Sequence, residues 1–386
     1  VKYYIKIRNL AVYIVSLLEL LIIKLYPVKT NKNSLMVIRL DSIGDYVLFR
    51  NYLEVLKNSS KYKGYSITLC GNTVYKEIAE KLDSKAVDKF IWVNRKKFYS
   101  NIIYKFQILK QIRGAGFEVI INPTYTREIL YGDMMVRAAA SPVKIGSSGA
   151  VDKHLKWKLG LFGKSIYNIV IPAGNKNMFE FYRNKEFFTV LLNEEVKLDS
   201  PSIQLKQPFT ELPDKKYAVV FIGANDADRQ WNLRGFAEIC SYLAEKYGLQ
   251  VIIAGGEKEK AGAAEITSIV KSDMISDYTG KTLLTQLIAL IQGAAILTAN
   301  ETSAVHFAAG VKTPFVCINK GKHLGRFSPY PKEIFDKGIN VYPPVITENF
   351  EEIINNDTFR FDSNLNINQI TAEEVKRAID KVLQNK

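Results

Sequence analysis

The feature that most constrains this chain is an alternation, run twice, of short apolar segments with helical ones. In the first run, 35–40, 66–70, 89–93, 118–121 and 143–145 read as strands, with helical patterns at 45–58, 73–82 and 100–114 between them. The second run places strands at 217–222, 249–254, 294–299 and 314–318. Helices at 233–247, on to about 269, at 283–292 and at 302–310 separate these. Strands alternating with helices predict βαβ units and a parallel sheet, because a crossover is needed to bring the next strand back in the same direction. Between the two runs, 150–213 is less regular, with helical 179–183 and 186–192; Pro201, Pro208 and Pro213 mark a linker. The predicted fold class is therefore α/β, with two Rossmann-like domains. The expected divisions are an amphipathic segment 1–30, a domain 31–210, a domain 211–345 and a helical tail 346–386.

A chain of 386 residues that is 47% apolar and 24% charged can bury a sizeable core. Cys70, Cys240 and Cys317 are odd in number and far apart, without a CxxC pair, so neither zinc site nor disulfide framework is indicated. Cys240 on a helical face and Cys317 in an apolar strand read as small core residues, and a reducing compartment fits them. The net charge of +14 calls for an anionic partner or substrate. No zinc finger, RNA-recognition signature or basic zipper is present, so nucleic acid is not expected. Outside Arg95-Lys96-Lys97 and 153–158 the positive charge is dispersed.

Residues 1–30 differ in character from the rest of the chain. Lys2, Lys6 and Arg8 precede an apolar stretch, 10–23, that Glu19 interrupts and Lys24 closes. It is too short and too charged to span a bilayer, which takes about 20 predominantly apolar residues. The basic start suits a signal peptide, but no small-x-small cleavage site comes after it. Two readings stand: an interfacial helix on an anionic membrane, with Tyr3, Tyr4 and Tyr13 near the boundary, or a helix docked on the first domain.

Residues 36–50 form a strand–turn–helix unit. The apolar run ends at Leu40, the chain turns at Asp41-Ser42-Ile43-Gly44, and Asp45 enters the first turn of a helix. Val47, Leu48, Leu53, Val55 and Leu56 suit burial, while Arg50, Asn51, Glu54 and Lys57 suit water. The turn thus falls at the carboxyl end of a parallel strand, where open α/β sheets bind ligands. Asp45 is either a general base or a carboxylate that complements the helix dipole.

Later segments extend the pattern: Ile222-Gly-Ala-Asn-Asp-Ala-Asp-Arg-Gln-Trp, Ala254-Gly-Gly-Glu, Tyr278-Thr-Gly-Lys-Thr and Asn300-Glu-Thr-Ser-Ala-Val-His. With Arg39-Leu-Asp-Ser-Ile-Gly-Asp in front, the ordered set resembles glycosyltransferase family nine, typified by ADP-heptose:lipopolysaccharide heptosyltransferases. The likeness runs from about residue 35 to 330. It implies a GT-B fold facing a central cleft and inverting sugar transfer from a nucleoside-diphosphate sugar, an ADP-sugar foremost, to a lipopolysaccharide or other glycolipid. It also implies a monomer without metal or cofactor, cytoplasmic and peripheral at the inner face of the cytoplasmic membrane.

The resemblance makes Asp45 the base, with Ser42 and Gly44 on the acceptor-side loop. Donor contacts fall on Gly223, Ala224, Arg229, Gly255, Gly256, Thr279, Gly280, Lys281, Thr282, Glu301, Thr302, Ser303 and His306. Asn225 and Asp226 stand where many relatives carry serine or threonine. Glu301 replaces an aspartate and Ser303 a glycine, which puts the donor's identity in question more than the reaction. His306 also reads as an ordinary structural histidine. Two rival classes share this architecture: nucleotide-sugar 2-epimerases, and non-catalytic sugar-nucleotide binding proteins.

Overall fold

The computed structural model describes residues 14–151, 166–174, 177–205, 213, 215–356 and 362–384. The chain divides into two units. One comprises Val1–Tyr46, Tyr52–Gly174 and Arg183–Val196; the other comprises Val47–Asn51, Asn175–Tyr182 and Lys197–Lys386.

In the first unit β1 (Asn31–Arg39), β2 (Ser66–Asn72), β3 (Lys89–Val93), β4 (Phe117–Asn122), β5 (Val143–Ser147) and β6 (Ile169–Ile171) form one sheet. Its order is β3-β2-β1-β4-β5-β6 and every pairing is parallel. Leu35–Ile38 are buried, as expected of a central parallel strand covered on both faces. The helices of this unit, in whole or in part, are α1 (residues 14–24), α2 (Ile43–Phe49), α3 (Asn51–Asn58), α4 (Ile102–Gly114) and α5 (Glu180–Leu192); Val47–Asn51 and Glu180–Tyr182 belong to the other unit.

The second unit repeats the plan with β7 (Tyr217–Phe221), β8 (Gln250–Ala254), β9 (Ile275–Asp277), β10 (Leu297–Asn300), β11 (Phe315–Ile318) and β12 (Gly338–Val341). The order β9-β8-β7-β10-β11-β12 is again all parallel. Helices α6 (Leu233–Tyr247), α7 (Ser303–Gly310) and α8 (Ala372–Gln384) support it. In both sheets the first strand lies beside the fourth, so each has a switch point where the order reverses.

The structure corrects several expectations. The helix over 45–58 is two helices parted at Arg50. Arg50 is buried rather than water-facing: its Nη1 donates to the Ser202 carbonyl at 2.6 Å, and Asn51 exchanges hydrogen bonds with the same residue. The two helical pieces read at 179–183 and 186–192 are one helix, α5, with Arg183 and Asn184 buried in its middle. The tail helix α8 packs within the second unit. Val375, Ile379 and Val382 enter the second unit's core beside Phe236, Ile239 and Leu243 of α6. β12 escaped the sequence reading because its four residues are only half buried and include a glycine and an asparagine. All three cysteines are buried and free.

Of the amino-terminal segment, residues 1–13 with Tyr3, Tyr4 and Tyr13 lie outside the described residues, as does the 153–158 lysine region. From residue 14 the helix docks on the first unit. Leu20 and Ile23 join its core, and Glu19 points inward to pair with Lys105 of α4 at 2.6 Å. Lys105 also donates to Ser16 Oγ at 3.0 Å.

Candidate active site

In the first unit, the loop after β1 is held from both sides. Asn72 Nδ2 donates to the carbonyls of Leu40 and Asp41, each at 3.1 Å, and Arg95 Nη1 donates to Leu40 at 2.9 Å. Asp41 pairs with the fully buried Arg39 at 2.8 Å. Ser42 is exposed, Gly44 half-buried, and the Ser42 carbonyl accepts from the Tyr46 amide at 3.1 Å. Asp45 is half-buried in the first turn of α2. Its neighbour Tyr46 fixes that turn: the ring stacks on Tyr75 at 4.0 Å and the hydroxyl donates to Asp83 at 2.6 Å.

Across the switch point, beyond β4, Glu128 receives both terminal nitrogens of Arg95, at 2.9 and 2.6 Å. Burial raises the Glu128 pKa against the pull of Arg95. Arg95 also lies over the Tyr131 ring at 4.3 Å. A residue that read as one of a short cluster of basic residues is thus a structural tie beside the Asp45 loop. Asn72 and Tyr46 lay outside the sequence reading, and Arg95 was read only as part of a basic cluster, because nothing local marks what they do. Their roles come from strands and helices distant in sequence.

In the second unit, all strands being parallel, the loops after β7, β8, β9 and β10 emerge at one edge of the sheet. They are tied together there. Asn300, fully buried, donates to the Ile222 carbonyl at 2.9 Å and accepts from the Trp231 amide at 3.1 Å, so the β7 and β10 loops are pinned at the switch point. The Gly280 amide donates to the Gly255 carbonyl at 3.0 Å, which joins the β8 and β9 loops. Gly280 needs its hydrogen: its φ is +67° and a Cβ would meet Glu257 Oε2 at 2.5 Å.

The predicted donor residues fall into groups. Gly223 is buried, Ala224 half-buried, and they lead to a single turn, Ala227–Arg229. Arg229 pairs with Asp226 at 3.3 Å, while its Nε, although buried, has no partner. Glu301 follows β10 and is buried, with Oε2 unpartnered as well. Burial raises its pKa to about 7 against the pull of Arg229 and Lys322. Thr302 caps α7 by accepting from the Ala304 amide at 3.2 Å, and Ser303 opens that helix.

Other members have structural duties. Thr279 is fully buried and bonded to Asp277 through amide and hydroxyl, at 2.8 and 2.6 Å. Lys281 donates to the Asp277 carbonyl at 2.6 Å, Thr282 is half-exposed, and the Gly256 amide is capped by Glu259 at 2.9 Å. His306 is buried with Nδ1 2.7 Å from the Tyr330 hydroxyl, and burial lowers its pKa to about 4, so it is neutral at pH 7.

The sequence reading passed over two cations at this edge. Lys320 is buried and bonded to Asp228, and Lys322 faces Asp226 at 3.5 Å. Their Lys-Gly-Lys run reads as a solvated turn. Its position just after β11 is the signal that could have found it. Arg229, Lys320 and Lys322 thus sit among Asp226, Asp228 and Glu301, a set of cations held by carboxylates of which Asp226 and Asp228 are the exposed ones.

A two-sheet α/β chain with cations gathered at one switch point offers an anionic ligand a place at the strand ends. The sequence matches glycosyltransferase family 9 (heptosyltransferase) over residues 106–339, more than half of its length, and the chain belongs to that family. The matched region leaves out the Asp45 loop and covers the whole of the Arg229–Glu301 edge. Lipopolysaccharide heptosyltransferase 3 of Escherichia coli K12 is 22% identical over 279 residues, covering 72% of this chain and 77% of the relative. Among solved structures, a family 9 glycosyl transferase from Veillonella parvula superposes with a TM-score of 0.71 at 16% identity, over 93% of this chain and all of that one. The E. coli heptosyltransferase WaaC, solved with ADP, gives 0.66 at 15% identity over 90% of this chain and 99% of that one. These likenesses establish the GT-B fold, and the family makes the protein a glycosyltransferase.

Proposed function

We propose that this enzyme moves a heptose or related sugar from an ADP-sugar to a lipopolysaccharide-type glycolipid, with inversion at the anomeric carbon. The observation that carries the reading is Arg229: a half-buried guanidinium whose buried Nε has no partner, at the switch point of the second sheet, in a chain of this family. A diphosphate is the anion that a planar fork of donors suits best. The lipopolysaccharide heptosyltransferase relative and the heptosyltransferase solved with ADP support the donor and acceptor classes.

The Asp45 carboxylate takes the proton from the acceptor hydroxyl. The acceptor oxygen bonds to the anomeric carbon, and the bond from that carbon to the diphosphate oxygen breaks. The nucleoside diphosphate leaves with the electron pair. Arg229 and Lys322 exchange their exposed partner Asp226 for phosphate oxygens, and the amides opening α7 add donors to an anion at that end of the helix. Protein cations supply the counter-charge in this scheme, which needs no metal. On this reading the enzyme works as a monomer in the cytoplasm, peripheral at the inner face of the cytoplasmic membrane where the acceptor is presented.

The test pairs a donor screen with a base variant. ADP-sugar should raise the melting temperature more than GDP-, UDP- or dTDP-sugars. Asp45→Asn should slow transfer by roughly 10²–10⁴-fold, the usual worth of general-base catalysis, and leave ADP binding unchanged. Turnover within threefold of wild type removes Asp45 from the mechanism. An epimerised free sugar formed without acceptor would move the chain to the 2-epimerase class.

A further inference from the structure

The docked helix α1 is inverted relative to an ordinary surface helix. Its inward face carries the polar residues: Ser16 and Glu19 meet Lys105, with Leu20 and Ile23 beside them. Its outward face carries Ile14, Leu17, Leu18, Leu21, Ile22 and Leu25, all exposed, with Leu21 at 61% and Leu25 at 82%. Scattered single exposed leucines are normal, but a helix face made only of them marks an interaction surface. The patch continues on the helix beneath, where Ile102 and Ile103 at the start of α4 are also exposed.

A rim of cations flanks the far end of the same helix. Arg113 donates to the carbonyls of Lys24 and Tyr26, each at 2.8 Å, and closes the helix at its negative end. Lys110 lies over the Tyr26 ring at 4.8 Å. Lys144 sits nearby, and burial together with Lys24, Arg113 and Arg137 lowers its pKa to about 8. Among the described residues, no carboxylate pairs with Lys24, Lys110 or Lys144. The rim is crowded with like charge, and an anionic surface is its complement.

We infer that the outer face of α1 is the membrane-docking surface of the first unit, lying on an anionic bilayer with its leucines in the acyl boundary and Lys24, Lys110 and Lys144 among the headgroups. A second copy of this chain is the poorer occupant, because each copy carries a net charge of +14 and the two repel each other, whereas an anionic bilayer attracts it. Residues 1–13 are equally ill suited, since they carry Lys2, Lys6 and Arg8. No helix among the described residues is long and apolar enough to cross a membrane. The inference names the surface on which the proposed glycolipid acceptor would be met, but it rests on the helix rather than on the reaction. Loss of transfer in the Asp45 variant leaves it standing, and a failure here leaves the transferase reading standing.

The experiment is co-sedimentation of the full chain with phosphatidylglycerol–phosphatidylcholine vesicles and with pure phosphatidylcholine vesicles. Wild type should bind the anionic vesicles and largely ignore the neutral ones. Leu21→Glu with Leu25→Glu should weaken binding by roughly tenfold or more for each leucine removed, at an unchanged melting temperature. Lys24→Gln with Lys110→Gln should weaken it by about fivefold for each cation. Wild type that stays in the supernatant overturns the inference, as do leucine variants that bind like wild type. A concentration-dependent dimer that the leucine variants abolish, without vesicle binding, assigns the face to a second copy and overturns it too.

Discussion

Arg229 and Glu301 face each other electrostatically with a buried unbonded atom apiece, and each makes a separate prediction. Arg229→Ala should weaken ADP binding by about 1.5–3 kcal/mol, the worth of a charge-assisted hydrogen bond, as titration calorimetry would read. Unchanged affinity and turnover would make Arg229 a surface residue. For Glu301 the consequence is a pH dependence. The fold keeps a proton up to about pH 7 that the unfolded chain releases near 4.5. The folded state binds more protons across that window, so stability falls as pH rises through it and levels off above. Glu301→Gln removes the effect. It should match wild type at the acid end and exceed it above neutrality by on the order of 3 kcal/mol in chemical denaturation. A difference that ignores pH would mean the carboxyl is ionised throughout. His306, by contrast, is buried against the Tyr330 hydroxyl, and burial lowers its pKa to about 4.

Among the elements, α1 carries the sharpest test. Glu19 and Lys105 are both buried, so removing one partner strands the other's charge. Either Glu19→Ala or Lys105→Ala should cost about 3–5 kcal/mol, while Glu19→Leu with Lys105→Met together should be neutral or stabilising. Melting curves of the three variants check this, and additive losses in the double variant would break the pairing. The same helix shows where sequence reading stops. The inner strands of both sheets were legible because a strand buried on both faces writes itself as an unbroken apolar run, as Leu35–Ile38 and Val251–Ala254 do, whereas the short half-exposed β6, β9 and β12 were not. Glu19 was legible only as an interruption, since its partner lies in α4. The parting of α2 from α3 was hidden likewise, because Arg50 and Asn51 bond to Ser202, far along the chain.

At the scale of the molecule, two sheets of identical strand order explain why the candidate motifs come in blocks. Each block follows a strand, and parallel strands deliver their loops to one edge. What no block announces is the tie between loops: Asn300 to Ile222 and Trp231, Gly280 to Gly255, Arg95 to Leu40 and Glu128. If protein cations alone balance the leaving diphosphate, transfer should run at an unchanged rate in excess chelator, and recovery on adding magnesium would refute that scheme.

The Glu19–Lys105 pair also sets a limit on depth. Were α1 to tip from the first unit into a hydrocarbon layer, Glu19 would lose its ion-pair partner where a bare carboxylate is least tolerated, and Arg113 would let go of the carbonyls it closes. On the docking proposed for it, the helix would be a float rather than a stake: it would settle on a bilayer and leave again with its fold intact, and the enzyme that carries it would stay free to exchange between surface and solution.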